Sequence, residues 1–291
     1  MRAIEYAAPA SVEEAVQILA RHGAGARMLS GGTDIIVQAR EGRRDVAVLI
    51  DAKTIPETNE LRIEPDGSLF IGAAVPCAVI YENAEIARRF PALIDSAALI
   101  GGIQIQSRAS LGGNLCNSSP AADSIPTLIA LGTVCHIAGP SGRRQVPAEQ
   151  FCTAPGRNVL GADEMLVALA ITAPQSGSGA AFERFIPRNE MDIAVCNAAA
   201  AIVLSEDGRT FRSGRIAVGA VAPTPLLVEE AGAALAGQPV SAETIERAAD
   251  AAGAAARPIT DMRGSTAQRR HLTKVLTRRV IEKAVERARG Q

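Results

Sequence analysis

The chain has 291 residues, of which 47% are hydrophobic and 21% charged, so it is long enough for one large domain or two ordinary ones. Its 30 basic and 31 acidic residues give a formal net charge of -1, which provides no global positive field for nucleic acid. Aromatic residues make up only 3%, and the stacking platforms of single-strand binders are missing. We find no apolar run that could span a bilayer and no secretory signal pattern, and we expect a cytoplasmic protein without a transmembrane segment.

The cysteines and histidines are too scattered to predict a catalytic or metal site. None of the five cysteines forms a C-x-x-C pair, so the sequence predicts neither a disulfide framework nor a zinc or iron–sulfur site. The three histidines are isolated, and no nucleophile–base pair is apparent. We therefore expect no catalytic side chain and no metal ligand on this chain, and we interpret Cys116 as a small packing group.

The N-terminal part of the sequence predicts alternating strands and helices. Ser11 followed by Glu14 forms a capping-box pattern at the start of an apolar stripe, and Gly23 can end that helix. Strand-like segments follow at residues 26–29 and 46–52. This alternation indicates a first α/β unit that closes near the end of the second strand.

The middle of the chain predicts a second unit of mixed structure. A turn signal at residues 65–67 precedes a strand-like segment, and a helical stretch is expected from about residue 80 to residue 100 with a break at Pro91. Residues 103–105 are expected to form a strand, and residues 124–126 are expected to open a helix. Further strand-like segments lie at residues 134–138 and 165–171.

Residues 174–179, with the sequence PQSGSG, are the most linker-like stretch and indicate a domain boundary. We therefore expect an N-terminal domain at residues 1–175, divided into subdomains of about 1–55 and 56–175, and a C-terminal domain at residues 180–288. Beyond the boundary, strand-like runs precede two long helical stretches, which is typical of a small α+β domain. The strand-like runs are residues 198–204 and 215–220, and the helical stretches are residues 242–256 and 266–288.

A first glycine-bearing segment, SGGTD, begins at Ser30 directly after a strand-like run. The absent Cβ of Gly31 and Gly32 permits positive φ and lets a ligand approach the backbone, and successive N–H groups in such a turn can hold an anion. Thr33 and Asp34 suit either a ligand contact or a helix cap. A tight turn with a cap explains the same residues equally well.

A second glycine-bearing segment, SLGGN, carries Ser110, Gly112, Gly113 and Asn114. Asp123, further along the chain, could accept bonds from a sugar hydroxyl or could cap the helix that follows. Neither segment fits the G-x-G-x-x-G pattern or the G-x-x-x-x-G-K-[ST] pattern. Two such loops in one domain favour a phosphate-bearing ligand, because a dinucleotide needs backbone donors from more than one side.

Both segments and their flanks resemble the FAD-binding medium subunit of molybdenum-containing hydroxylases, a family that includes carbon monoxide dehydrogenase and bacterial xanthine dehydrogenase-like enzymes. The similar stretches cover nearly the whole chain: SGGTD, SLGGNLCNSSPAADSIPTLIALG, APGRNVLGADEMLVALAI and FERFIPRNEMDIAVCNAA. The second glycine segment, with S-P-x-x-D-S-x-P after it, is quite specific. The cysteine-rich insert of 4-hydroxybenzoyl-CoA-type reductases does not occur in this sequence, which argues against that variant.

The resemblance implies an α+β chain: a PCMH-type N-terminal FAD-binding domain of two α/β subdomains, and a smaller C-terminal domain with an antiparallel sheet and helices. It also implies that the two glycine segments wrap the FAD diphosphate from opposite sides and that Asp123 bonds a cofactor hydroxyl. Leu166 would approach the cofactor through its backbone, Arg184 would lie near the flavin, and Ile193 would pack over a flavin face. From the residues alone, Leu166 and Ile193 would be core residues of apolar strands, and Arg184 would be a surface charge.

The function that the resemblance implies is electron transfer. A large partner subunit would carry the molybdenum cofactor and a small one the [2Fe–2S] clusters, in an (αβγ)₂ assembly. FAD on this chain would pass electrons to NAD, oxygen or a quinone. Three alternatives stay open: a free-standing flavin oxidoreductase of the same fold, a scaffold that has lost its flavin, and a module for another diphosphate.

Overall fold

The first subdomain is a small parallel sheet with helices in its connections. The structure is a computed structural model, and it describes residues 3–189 and 191–290. The three strands have the order β1-β3-β2. In chain order the elements are β1 (Glu5–Ala7), α1 (Val12–His22), β2 (Ala26–Leu29), α2 (Ile35–Arg40) and β3 (Val48–Asp51).

The start of α1 shows why this segment is helical. Ser11 Oγ accepts a hydrogen bond from Glu14 N at 3.1 Å, which confirms the predicted cap. Glu14 Oε2 in turn accepts from Ala10 N at 2.8 Å, so the reciprocal bond closes one residue earlier than in a standard capping box. The helix ends at Gly23, which has φ +51°. Its apolar stripe faces the sheet and is buried.

The second subdomain is a five-stranded antiparallel sheet with six helices between its second and third strands in the chain. The strand order is β4-β5-β10-β6-β7, and β8 and β9 form a separate hairpin. The strands are β4 (Leu61–Ile63), β5 (Leu69–Gly72), β6 (Val134–Gly139), β7 (Gly142–Pro147), β8 (Cys152–Ala154), β9 (Arg157–Asn158) and β10 (Met165–Ile171). The helices are α3 (Cys77–Tyr81), α4 (Ala84–Arg89), α5 (Pro91–Ala97), α6 (Ile103–Gln106), α7 (Leu111–Asn117) and α8 (Ser124–Ala130).

The central strand β10 joins the cores of the two subdomains. Leu166 and Leu169 belong to the core beneath the helices, whereas Met165 and Val167 belong to the core shared with α1 and β3. Both faces of β10 are therefore buried, which explains its continuous apolar sequence. A register shift between Leu166 and Ala168 lies near the start of the strand, where Leu166 lines a cleft.

Two local predictions for this subdomain are wrong. Residues 103–105 form part of α6 rather than a strand, because they follow Gly101 at φ +64° in a tight turn and Ile103 is 76% exposed. The second glycine segment is the start of α7 rather than a loop, because Ser110 caps the helix. The helical stretch up to residue 100 is also divided further than expected, since Asn83 caps α4 before Pro91 opens α5.

The C-terminal domain has an antiparallel sheet of order β11-β12-β13-β14 with helices packed on it, as the α+β interpretation predicts. Its elements are β11 (Ser178–Phe185), β12 (Cys196–Leu204), β13 (Phe211–Gly219), β14 (Leu226–Leu227), α9 (Glu229–Leu235), α10 (Ala242–Ala255) and α11 (Thr266–Ala288). The helix α11 lies very close to β11, where a Cβ at Gly179 would be 2.0 Å from Ala284 O. This contact explains a glycine at that strand position.

Ion pairs and hydrogen bonds join the two domains. Asp95 on α5 pairs with Arg287 on α11, with oxygen–nitrogen distances of 2.6 and 2.9 Å, and also accepts a bond from Phe182 N. Arg215 on β13 donates to Ile129 O at 3.0 Å across the same boundary.

Among the helices formed by residues 3–189 and 191–290, none has the length and apolar character needed to cross a bilayer.

Candidate cofactor site

The two glycine segments, 80 residues apart in sequence, lie in direct contact. The hydroxyl oxygens of Ser30 and Ser110 are 2.8 Å apart and share a hydrogen bond. The backbones approach so closely that a Cβ at Gly31 would lie 2.3 Å from Arg108 O. The structure therefore brings together the two segments that the sequence singled out, and it explains the glycine at position 31 by the neighbouring backbone.

Each segment adjoins the end of a regular element. The first follows the end of β2 and turns at Gly32, which has φ +77°. The second enters α7, where Ser110 Oγ accepts from Gly113 N at 3.0 Å and a Cβ at Gly112 would be 2.5 Å from Ala73 O. The first N–H groups of a helix have no intrahelical partner and carry partial positive charge. This part of the site therefore presents a helix start to an anion instead of the predicted loop.

A cleft of about 680 Å³ lies at these segments and is lined by residues of both subdomains. We call it the cofactor cleft. Ligand sites in proteins typically measure about 300 to 1,000 Å³, so the volume suits a ligand of dinucleotide size. The predicted residues that line it are Ser30, Gly31, Gly32, Thr33, Asp34, Ser110, Gly112, Gly113, Asn114 and Leu166.

The alternative role of Asp34 as a helix cap is not found. Its side chain makes no capping bond on α2, although Asp34 occupies the N-cap position. Asp34 is exposed and lines the cofactor cleft. Its carboxylate is thus free to face a ligand.

Sequence reasoning missed three arginines that line the cofactor cleft: Arg27, Arg44 and Arg157. Partial burial, together with the positive charge of Arg44, lowers the pKa of Arg27. Arg27 Nη1 donates to Ala26 O, and Arg44 Nε donates to Gln38 Oε1 at 3.1 Å, so the acceptors of these bonds are uncharged. Two neighbouring guanidinium groups in the lining of a cleft favour an anionic ligand. The sequence feature that could have identified Arg27 as a site residue is its position on the strand that leads into the first glycine segment.

Asp123 and Arg184 meet outside the cofactor cleft, at the boundary between the domains. Asp123 Oδ2 lies 2.5 Å from Arg184 Nη1, and the two side chains are only 12% and 5% exposed. Burial raises the pKa of Asp123 to about 6, against the lowering effect of Arg184. The interpretation of Arg184 as a surface charge is therefore wrong, and so is the interpretation of Asp123 as a helix cap, because it makes no capping bond on α8.

This buried ion pair is incompletely satisfied and lies close to the cofactor cleft. Asp123 Oδ1 and Arg184 Nε are buried without a hydrogen-bond partner among the described residues. Ser124, the next residue after Asp123, donates through Oγ to Asn114 Oδ1 at 2.7 Å, and Asn114 lines the cleft. Asp123 Oδ1 therefore keeps an unused acceptor site, although Asp123 itself does not line the cleft.

Ile193 lies in the loop between β11 and β12 and is 50% exposed, so its placement in a core strand is wrong. Met191 in the same loop has φ +50°, and its sulfur accepts from Gln104 Nε2 at 3.0 Å. This contact places the loop against the start of α6, which follows the cleft residue Ile100. Ile193 is thus an exposed apolar side chain at that end of the molecule, whereas Leu166 is buried in β10 as expected.

The cysteine near the site has no activated thiol. Cys116 lines the cofactor cleft, and burial raises the pKa of its thiol to about 12. A thiol that stays protonated is a poor nucleophile, which supports a packing role. In the part of the chain that the structure describes, no group of three or more His, Cys, Asp or Glu side chains could hold a metal ion.

Comparison with known proteins gives the family. Residues 2–174 match the family described as the FAD binding domain in molybdopterin dehydrogenase, and residues 181–284 match the CO dehydrogenase flavoprotein C-terminal domain. The chain therefore belongs to the family of the FAD binding domain in molybdopterin dehydrogenase, with the flavoprotein C-terminal domain of CO dehydrogenase after it. A xanthine dehydrogenase FAD-binding subunit of Escherichia coli O157:H7 is 32% identical over 287 residues, which are 98% of this chain and 97% of the relative. The carbon monoxide dehydrogenase medium chain of Hydrogenophaga pseudoflava is 32% identical over 280 residues, 96% of each chain.

The fold agrees with that of a solved relative. A chain of carbon monoxide dehydrogenase from Hydrogenophaga pseudoflava, in a form that lacks the Mo-pyranopterin moiety of the molybdenum cofactor, superposes with a TM-score of 0.92 at 32% identity. The match covers 97% of both chains. The predicted family and fold class are confirmed: this flavoprotein is an FAD-binding subunit of a multi-subunit oxidoreductase of the carbon monoxide and xanthine dehydrogenase type.

The residues present fit FAD. The cofactor cleft has the volume for a dinucleotide, two backbone approaches that a side chain would block, and three arginines in its lining. A diphosphate needs such a combination of backbone donors and positive charge.

Proposed function

We propose that this chain is the electron-transfer subunit of a heterotrimeric molybdenum hydroxylase. Bound FAD would supply the redox chemistry, linking [2Fe–2S] clusters on a small partner subunit to an external acceptor. The observation that supports this proposal most is the contact of the two glycine segments at one edge of a cleft of about 680 Å³, in a chain of the FAD-binding family. The electrons would originate from a substrate oxidised at the molybdenum cofactor of a large partner subunit.

The chain's own residues would bind the diphosphate through backbone and charge. The N–H groups around Gly31 and Gly32, and those of Leu111 and Gly112 at the start of α7, would donate to phosphate oxygens from two sides. Arg27 and Arg44 would balance the negative charge. Thr33 and Asp34 would complete the first segment, with Ser30 held in place by its bond to Ser110.

Other residues would orient the remainder of the cofactor. Asp123 would accept a bond from a cofactor hydroxyl through its free oxygen, with Arg184 holding the carboxylate in position. Leu166 would approach the ligand from the end of β10. Ile193 would cover a flavin face, because it is apolar, exposed and carried by a loop that contacts α6.

The assembly is proposed as (αβγ)₂ in the cytoplasm, with NAD, oxygen or a quinone as the acceptor. The absence of a nucleophile–base pair in the sequence agrees with a role in which side chains bind and orient while the flavin performs the chemistry. Turnover of a reduced substrate by this chain alone would instead favour a free-standing flavin oxidoreductase.

The experiment is purification of the chain with its partner subunits, followed by a visible spectrum and mass determination of the released cofactor. We expect one FAD per copy of this chain. Gly31→Ala should reduce FAD content to a minor fraction, because the added Cβ would meet Arg108 O at 2.3 Å. Gly25→Ala is the matched control, since its Cβ would make an ordinary 3.4 Å contact with Ala47. A wild-type complex that neither contains nor takes up FAD would contradict the proposal.

A further inference from the structure

We propose that the C-terminal domain shapes the FAD site through two buried positioning residues, Asn197 and Arg269. They hold the loop that carries Ile193 and residues 120–123, which we call the Asp123 segment. The proposal rests on the proposed function, because it assigns these two elements to the cofactor. Neither Asn197 nor Arg269 lines the cofactor cleft. Both act through the backbone of other residues.

Asn197 holds the backbone of the Asp123 segment directly. It lies on β12, is fully buried, and donates through Nδ2 to Ala122 O at 3.1 Å. This bond fixes the residue that directly precedes Asp123. Space for this amide depends on Gly219 of the paired strand, where a Cβ would lie 2.3 Å from Asn197 Oδ1. Gly219 thus leaves room for the Asn197 side chain, which reaches from the C-terminal domain to the N-terminal domain.

Arg269 holds the same segment through an intermediate residue. Ala220 donates its backbone N–H to Pro120 O at 2.7 Å, and Arg269 Nη1 donates to Ala220 O at 2.8 Å. Ala220 has φ +63°, a left-handed conformation that is strained for alanine. The N–H and the C=O of Ala220 are thus both hydrogen-bonded, and these two bonds hold the strained residue in place. The guanidinium therefore stabilises the turn that contacts Pro120.

The same nitrogen of Arg269 also holds the loop that carries Ile193. Nη1 donates to Val195 O at 2.8 Å, two residues after Ile193. Val195 precedes β12 and Ala220 follows β13, so both carbonyls lie beyond the ends of their strands. Arg269 is 4% exposed, and its Nη2 pairs with Asp261 at 2.8 Å. A charge buried this deeply is costly, and these contacts offset that cost.

One guanidinium thus couples two elements that are proposed to touch the cofactor. Removing it would release the Val195 carbonyl and the Ala220 turn together, so the Ile193 loop and the Asp123 segment would both shift. A purely structural arginine at the domain boundary would not produce this double effect. Arg215 provides the comparison, because it donates to Ile129 O and pairs with Glu149 without contacting either element.

The test compares Arg269→Gln with Arg215→Gln in the complete complex. The readouts are the rate of FAD release, the visible circular dichroism of the bound flavin and the thermal midpoint. We expect Arg269→Gln to release FAD roughly tenfold faster with an altered flavin spectrum, since a hydrogen bond to a charged group is lost. Arg269→Lys should restore part of both. Arg215→Gln should lower the thermal midpoint but leave FAD release and the spectrum unchanged.

Asn197→Asp tests the proposal even if Arg269→Gln does not fold. The substitution is isosteric and places a second carboxylate beside Asp123, whose other charged neighbour is Arg184. Protonation of Asp123 would weaken its ion pair with Arg184, so we expect FAD release to accelerate at low pH. In Asn197→Asp the pH of this acceleration should move upward, because a like charge disfavours the ionised form of Asp123. Wild-type release rates, spectra and pH midpoints in all of the folded variants would overturn the positioning role while leaving the proposed function intact. A wild-type complex without FAD would instead remove the proposed function itself.

Discussion

At the cofactor cleft, two glycine segments approach each other through their backbones, whereas at the domain boundary Asp123 and Arg184 meet through buried charges. The first region depends on the absence of side chains, so an added methyl group damages it at any pH. The second region depends on the ionisation of a carboxylate, so its contribution changes with pH. The comparison distinguishes a contact defined by sterics at the cleft from a contact defined by electrostatics at the domain boundary, and each contact has its own test.

The largest effect is expected from Arg184→Ala. The substitution leaves Asp123 as a buried carboxylate without its cation, which costs about 3 to 5 kcal/mol of the free energy of unfolding. Urea denaturation of the purified subunit measures it. Arg278→Ala is the control, because its ion pair with Glu246 is exposed and should contribute about 0 to 1 kcal/mol. Equal losses in the two variants would show that the ion pair at the domain boundary is no stronger than a surface pair.

The second prediction concerns pH. The pKa of Asp123 is raised to about 6 in the folded chain, so the folded state binds the proton more tightly than the unfolded state. The stability from this carboxyl group is fully present below pH 3.8 and is lost as the pH rises to about 6.

Relative to Asp123→Asn, the wild type should therefore lose about 1 to 3 kcal/mol of unfolding free energy between pH 4 and pH 7. Urea denaturation across this range gives the difference between the two proteins at each pH. Parallel pH profiles for the two proteins would mean that Asp123 titrates at its ordinary pKa, and the distinction between the two regions would then disappear.

The smallest effect is expected at the cap of α7. Ser110→Ala removes the acceptor for Gly113 N and the bond to Ser30, which should cost about 1 kcal/mol of unfolding free energy and also weaken FAD binding. Ser265→Ala, which removes the equivalent cap of α11, should cost a similar amount without changing FAD binding. If both variants bind FAD equally well, the cap of α7 has only a structural role.

The sequence predicted those parts of the fold that depend on local pattern. The capped amphipathic helices α1 and α10 and the apolar strand β10 appear where their periodicity indicated. Residues 111–117 were not expected to be helical, because two glycines lower helix propensity. The cap at Ser110 and the packing of Gly112 on Ala73 offset this, and neither contact can be inferred from local sequence.

The candidate site was predictable only where a family pattern marked it. The ten cleft residues came from the glycine segments and their similarity to known subunits, whereas Arg27 and Arg44 resemble ordinary surface charges in the sequence. The pairing of Asp123 with Arg184 spans 61 residues and two domains. Such a contact depends on how the domains pack, which no local pattern specifies.

The contact between Asp95 and Arg287 has a consequence for the order of folding, because it spans 192 residues of chain. Contacts of such long separation form late, since the loop that they close is long and its ordering is entropically costly. We therefore expect each domain to fold first and the interdomain contacts to close last.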